Sequence, residues 1–409
     1  MKFKQTPLKM RIAFSICLTM IISVSCFGQN GKDIVIGKKH SIYSEILQKD
    51  RQYWIHLPTS YNDTIYSPKK YPLLVILDAE EHFELATSII KFMSNRLDSK
   101  LIPEFIVVGL TGTERIHDYT PTHSIYNPEG AEVKAFGTSG GGSQFLEFLQ
   151  RELISQIDKE YRTQPYRILA GHSLGGTLAV YDYFSEVTLF NSYIAMDPSL
   201  WWDNELLVEK AKSANLSSLK KENRRLFISS AHNSPLEIDT TPMRKSQDAF
   251  YVAMEANFNN ENSLYFKFQY FESEDHGTVV LPSLYQGMQF IFQDYRMKNL
   301  LGASAEEIRA YFENTSNRIG IQLLPSERVI DVIGNYLLLD IKQVNNAISL
   351  FELNVSNYPN SYHANYSLAE AFKQQGEEIR ASEYYKRSLE LKPNNVIARK
   401  ALEEISGNN

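Results

Sequence analysis

With 409 residues, ordinary charged and apolar fractions (22% and 43%) and a formal charge of −6 spread without any basic block, the chain has room for two or three domains of roughly 100–200 residues. It is not built for a nucleic acid or an anionic membrane surface. Its only cysteines, Cys17 and Cys26, lie near the N-terminus, which excludes a disulfide or a thiolate metal site from everything that follows.

The first segment reads as an export signal over residues 1–28. Lys2, Lys4, Lys9 and Arg11 precede an apolar run from Ile12 to about Val24, followed by small residues. The run is short for a transmembrane span of about 20 residues, and no later run is long and apolar enough to span. The expected location is periplasmic or extracellular. An alternative is cleavage at Ser-Val-Ser-Cys26, leaving an acylated Cys26 as a lipoprotein anchor.

Alternating apolar residues between Ile34 and Leu57 predict two antiparallel strands joined near Lys49-Asp50. The pattern then changes to short continuous apolar runs at Leu73–Leu77, Phe105–Val108, Ile168–Ala170, Tyr193–Ala195 and Leu226–Ile228, as expected of strands buried on both faces. Leu264–Tyr270 adds a last strand. Between them, helical spacing runs over Phe83–Leu97, Phe145–Ile157, Leu178–Phe184 and Gln247–Phe258, and a helix over Leu284–Met297 closes the unit. Alternating strands and helices imply a mostly parallel sheet covered on both sides.

A polar stretch, Asn314–Arg318, reads as a connector. Beyond it Ala347 and Ala381, Phe351 and Tyr385, Pro359 and Pro393, and Asn360 and Asn394 are each 34 positions apart, the period of tetratricopeptide helix pairs. The predicted organisation is a catalytic domain over 33–298, a helical linker over 299–328 and a small all-α repeat region over 329–405. That region either caps the first domain or docks a protein partner.

Chemistry is concentrated at Gly171-His172-Ser173-Leu174-Gly175-Gly176, directly after a strand and before a helical run. This is Gly-x-Ser-x-Gly in the strand-turn-helix setting that exposes a nucleophilic serine. The glycines leave space for neighbouring backbone, and the helix N-terminus favours an oxyanion. A neutral alcohol needs a base to take its proton. In this fold the order is serine, acid, histidine, and His276, just after the last strand, fits where His363 and His232 do not. The acid is expected after Leu226–Ile228, with Glu237 favoured over Asp239; a Ser-His pair without an acid is the remaining option. Asp275 reads as a loop charge. The oxyanion donors are expected to be the backbone N–H groups of Leu174 and Glu80, with Ala79 the alternative to Glu80.

At this point the chain resembles the putative-esterase family of α/β-hydrolases, which includes enterobactin and related siderophore esterases, esterase D and feruloyl-type esterases. The resemblance rests on Tyr71–Asp78, Glu114–Thr122, Gly140–Gly142, the Ser173 motif, Asp197–Asp203 and Glu274–Gly277. It implies an α/β-hydrolase fold with a mostly parallel central sheet, and a small-molecule ester as substrate. Two departures stand out: Arg115-Ile116-His117-Asp118 where the family often has Arg-x-Arg-Asp, and Asp197-Pro198-Ser199 where it often has Ser-Pro-Ser. The missing arginine weakens a site for a polyanion such as a ferric catecholate. Arg115 is expected either to line the pocket or to pin its loop through Asp118, and Trp201 and Trp202 to line a pocket and stack on an aromatic or sugar ring, with one of the two packed beneath the active-site rim.

The expected reaction is serine-dependent hydrolysis of a carboxylic ester, with no metal and no cofactor. Acyl transfer to a sugar or lipid hydroxyl is one rival. A non-catalytic binding protein with a docking tail is the other.

Overall fold

In the computed structural model the described residues are 33–407, apart from 96–99, 189, 215 and 259–263. The predicted export segment and both cysteines lie outside them. No helix among the described residues is long and apolar enough to cross a membrane.

Eight strands form one sheet in the order β1-β2-β4-β3-β5-β6-β7-β8. β1 (Lys38–Ser44) and β2 (Lys49–His56) make the antiparallel edge, and β2 runs antiparallel to β4 (Ile106–Thr111). β3 (Tyr71–Ile76), β4, β5 (Thr163–His172), β6 (Ser192–Met196), β7 (Arg225–Ala231) and β8 (Phe266–Phe271) are mutually parallel. Their C-terminal ends therefore share one edge, where ligands bind in open α/β sheets. The first hairpin turns at Glu45–Gln48 and not at Lys49-Asp50. Gln48 takes the left-handed conformation (φ 53°), and Glu152 accepts from the Glu45 and Ile46 amides at 3.0 and 3.1 Å, so the chain is already turned before Lys49.

The interior strands carry continuous buried apolar runs, such as Leu73–Ile76 in β3 and Ile168–Ala170 in β5, because both faces are covered. On one face Leu73, Val75, Val108 and Leu169 pack with Phe145, Phe148 and Leu178. These come from α2 (Gly142–Phe148), which continues through a π-helical turn (Leu149–Leu153) into α3 (Ile154–Glu160), and from α4 (Leu174–Tyr183). The same face carries α5 (Trp202–Ser213) and α6 (Pro242–Phe258). On the other face Leu74, Ile76, Val107 and Phe227 meet α1 (Ala79–Ser94) and α7 (Val280–Ile291).

That second face does not end with α7. Ile308 and Phe312 of α8 (Ala305–Ile319), and Ile330 and Ile333 of α9 (Glu327–Asn335), belong to the same apolar cluster as Leu284 and Met288. Asn314–Arg318, expected to connect, lies inside α8. Thr315 and Ile319 face inward there, and a capping box formed by Ser304 and Glu307 with Gly320 at the C-terminus brackets the helix. Four further helices follow: α10 (Val344–Asn357), α11 (Tyr362–Gln375), α12 (Glu378–Leu391) and α13 (Val396–Gly407). Residues matched at the 34-residue period sit in equivalent places: Ala347, Phe351, Ala381 and Tyr385 are all buried in the cluster that holds this tail together.

Candidate active site

Three strand ends supply the polar groups, and at each the chain leaves the strand through a non-glycine residue at positive φ: Asp78 (53°) after β3, Ser173 (58°) after β5 and Asp197 (43°) after β6. At Ser173 (ψ −118°) the turn aims the side chain off the sheet edge. The close approach that permits this is visible at Gly171, where an added Cβ would lie 2.4 Å from the carbonyl carbon of Gly175. Only glycine fits.

Ser173 and His276 line one cavity together with Asp78, Glu80, Glu81, Gly112, Thr113, Arg115 and His172. The Ser173 hydroxyl is half-buried and 3.4 Å from that of Ser199. His276 Nδ1 lies 2.6 Å from Asp197 Oδ2. With Nδ1 donating to a carboxylate, Nε2 is left as the acceptor, the tautomer a general base requires.

Asp197 is fully buried. Its Oδ1 accepts from the Ala231 amide (3.0 Å) and Gln247 Nε2 (2.9 Å), and its Oδ2 from Asn233 Nδ2 (2.8 Å) as well as His276. Burial alone raises its pKa. The hydrogen bonds from His276, Ala231, Asn233 and Gln247 outweigh that and hold it below the ordinary carboxylate value. A buried carboxylate with every lone pair engaged stays ionised and fixes the imidazole's orientation.

The expected acid, Glu237, is therefore replaced. It is exposed on the 232–241 loop, while Asp239 spends its carboxylate on the amides of Asn233 (2.6 Å) and Thr241 (2.9 Å), holding that loop's own shape. The physical reason is the strand order. β6 lies directly beside β5, the strand that leads into Ser173, so a carboxylate at its end comes within hydrogen-bond reach of the His276 imidazole. The signal was in the sequence: Asp197 is one of the two departures from the family pattern.

A second feature was missed altogether. His172, the variable residue before the nucleophile, sends Nε2 to the backbone carbonyl of His276 at 2.6 Å, and the two rings lie 4.4 Å apart. Burial, then the proximity of His276, pushes its pKa down to about 4, so it is a neutral donor that ties the His276 loop to the Ser173 turn. Asp275 has a local role: its Oδ1 accepts from the Gly277 and Thr278 amides at 2.9 and 2.8 Å, shaping the turn that carries His276.

Leu174 opens α4 immediately after Ser173, and Glu80 lies in the first turn of α1 at the cavity wall. Helix N-termini leave such N–H groups without intrahelical partners. The Glu80 side chain accepts from the Gly112 amide at 2.6 Å. Ala79 is buried against the sheet.

Arg115 does line the cavity, but its partner is Asp78 (Nε to Oδ1, 2.9 Å), and its Nη2 reaches the His172 carbonyl at 3.4 Å. The expected pairing with Asp118 does not form, because Arg51 reaches Asp118 first from β2 (2.8 Å, both buried). Burial raises the Asp78 pKa, with Arg115 pulling the other way.

The two tryptophans separate. Trp202 is buried and donates Nε1 to the Thr122 carbonyl at 3.2 Å, so it is a core residue and not a pocket wall. Trp201 is half-exposed and lines a separate cavity with Tyr126, Asp203 and Glu205, not the one that holds Ser173 and His276.

Among the described residues no cluster of three or more His, Cys, Asp or Glu is arranged to hold a metal ion.

Comparison with known proteins points the same way. A family model described as Putative esterase matches residues 44–276. The ferri-bacillibactin esterase BesA of Bacillus subtilis is 26% identical over 182 residues, covering 42% of this chain and 63% of that enzyme, so the chain spans less than two thirds of its length. A siderophore enterobactin esterase of Emericella nidulans is 25% identical over 253 residues, covering 55% of this chain and 83% of the relative. Among solved structures, an IroE-like serine hydrolase from Shewanella oneidensis superposes with a TM-score of 0.67 at 27% identity, covering 78% of this chain and 99% of the other. With more than half of its length matched by the family model, the chain belongs to the putative esterase family.

Proposed function

We propose that the protein is an exported serine esterase that cleaves carboxylic esters through an acyl-enzyme. The single observation that carries this reading is the hydrogen bond from His276 Nδ1 to the buried Asp197, beside a serine held on a strained strand-to-helix turn in the same cavity. Ser173 Oγ attacks the ester carbonyl while His276 Nε2 takes its proton. The Leu174 and Glu80 N–H groups hold the oxyanion, and the imidazolium formed next to Asp197 returns the proton to the departing alcohol. Water then repeats the sequence on the acyl-serine. Asp197 stabilises the imidazolium without itself being protonated, and its depressed pKa supports that role.

Export is supported by the basic-then-apolar leader of residues 1–28. The 34-residue period and the buried Ala347, Phe351, Ala381 and Tyr385 support a tetratricopeptide-like tail.

Turnover of nitrophenyl acetate by the purified protein, and its loss by at least about 10⁴-fold in Ser173→Ala, is the expected result. Retention of wild-type turnover in that variant overturns the assignment.

A further inference from the structure

The cavity of Ser173 opens at the C-terminal ends of the parallel strands. At the opposite edge, near the starts of β3, β4 and β5, the tail meets the sheet along a seam. Two cavities there adjoin, because Lys69, Lys100, Glu104, Ser326 and Tyr358 line both. The larger measures about 570 Å³, within the range of roughly 300–1,000 Å³ typical of small-molecule sites. It shares no described lining residue with the catalytic cavity.

The seam carries more positive charge than its own groups neutralise. Lys69, Lys70, Lys100 and Arg328 line it, against Asp63, Glu104 and Glu327. Each of the three carboxylates is already committed. Glu104 pairs with Lys69 (2.5 Å) and accepts from the Ser60 hydroxyl (2.8 Å). Asp63 accepts from the amides of Ile65 and Tyr66 (2.8 and 3.3 Å), and Glu327 from the Ser67 amide (2.7 Å) and the Ser361 hydroxyl. Lys100, half-buried, and Arg328, exposed, have no hydrogen-bond or ion-pair partner among the described residues. Burial and then Lys69 lower the Lys100 pKa, Glu104 pulls it back and Arg328 lowers it again, so it stays below the ordinary lysine value.

Neutral donors are unmet there as well. Ser67 Oγ in the smaller cavity and Asn357 Nδ2 in the larger are buried without a partner, against one such acceptor, Gln164 Oε1, among the described residues. Unpaired ammonium, hydroxyl and amide donors call for an acceptor with a negative charge. Glu104 in the shared wall repels a second charge, so a monoanion is matched better than a dianion. Pro103, Pro165, Tyr166, Tyr295 and Leu323 give the larger cavity apolar walls, which suit an apolar body behind that head.

We propose that this seam binds a monocarboxylate with an apolar body, its head met by Lys100 and Arg328 and its body held against Tyr295 and Leu323, and that the bound acid ties the tail to the sheet. Lys100 precedes β4 and Arg328 lies in α9, so the ligand requires both regions folded and docked, and it stabilises the whole chain by mass action. The site is independent of the esterase reading.

The test is calorimetric titration of the purified protein with 4-phenylbutyrate, octanoate and the neutral 4-phenylbutyramide, with thermal melts alongside. At least one acid is expected to bind and to raise the melting midpoint, and 4-phenylbutyrate to bind at least about 10-fold tighter than its amide. Lys100→Met is expected to weaken acid binding by at least about 10-fold and the exposed Arg328→Gln severalfold, with nitrophenyl acetate turnover unchanged in both. That turnover and the melt without ligand report folding; if Lys100→Met does not fold, Arg328→Gln decides. Failure of both acids to bind at about 10 mM, where even a millimolar Kd registers, overturns the proposal. Equal affinity for acid and amide overturns it too, as does unchanged acid binding in a folded Lys100→Met, which places the acid elsewhere, the catalytic cavity included.

Discussion

The catalytic edge and the helical tail are built on opposite terms. At the edge, three non-glycine residues, Asp78, Ser173 and Asp197, hold positive φ at the ends of adjacent strands, each at a cost of about 1–3 kcal/mol. In the tail beyond α7, the left-handed positions at the ends of α8 and α11 are taken by Gly320 and Gly376, and among the described residues only Asp294, just after α7, and Lys342 depart from this pattern. At the three strand ends the strain goes with aiming a side chain over the sheet edge; at the ends of α8 and α11, where the chain only has to turn, glycine takes the left-handed position. The shared cluster joining Leu284 and Met288 to Ile308 and Ile330 shows where some of the offsetting stability comes from.

The two regions also hold histidines of opposite sign, and this gives the largest effect by which to break the comparison. His172 has its pKa pushed down to about 4, so between that value and its ordinary 6.5 the unfolded chain binds more protons. Stability therefore falls as pH falls through this window, by on the order of 3 kcal/mol when complete. His363 is shifted the other way. Burial lowers its pKa, but the hydrogen bond to Asp331 (3.1 Å) outweighs this and raises it. Its contribution is full below the ordinary histidine value and is lost as pH rises through the raised one. Tyr66 and Ser67, from the segment before β3, bond to Asp331 and Glu327, so the tail is expected to hold most firmly to the sheet in mildly acidic conditions. Urea midpoints at pH 7.5, 6 and 4.5 check both signs. His172→Gln is expected to become relatively more stable than wild type as pH falls, and His363→Gln relatively less. Parallel curves contradict the account.

Smaller effects sharpen the same contrast. Ser173→Gly relieves the strained turn, and is expected to raise stability by about 1 kcal/mol while abolishing turnover. Gly376→Ala forces a side chain into φ 87° with nothing within 4 Å to clash. It is expected to lower stability by about 1 kcal/mol with turnover intact. Thermal melts paired with nitrophenyl acetate assays measure both. A stabilised, active Gly376→Ala or a destabilised Ser173→Gly reverses the contrast.

The sheet was legible because strands buried on both faces must be continuously apolar, and Ser173 because its turn requires glycines at fixed offsets. His276 followed from chain order. Asp197 was not legible by that route. Which carboxylate reaches the imidazole depends on which strand lies beside β5, and strand adjacency is a property of topology that local pattern does not carry. The helix over Asn314–Arg318 was hidden for a related reason: its polar residues face outward, and only Ile308, Phe312, Thr315 and Ile319 mark the inner stripe. That one of Trp201 and Trp202 packs inside was expected; that it is Trp202 was not legible, because side-chain type says nothing about which of two adjacent rings turns inward.

The central claim is that Asp197, and not Glu237, orients the base. The most direct measurement is kcat/KM for nitrophenyl acetate in Asp197→Asn and Glu237→Gln, each confirmed folded by its thermal melt. A loss of about 10²–10⁴-fold in Asp197→Asn, where the amide favours the wrong imidazole tautomer, with Glu237→Gln within about twofold of wild type, is the predicted result. Wild-type turnover in Asp197→Asn, or a comparable loss in Glu237→Gln, contradicts it.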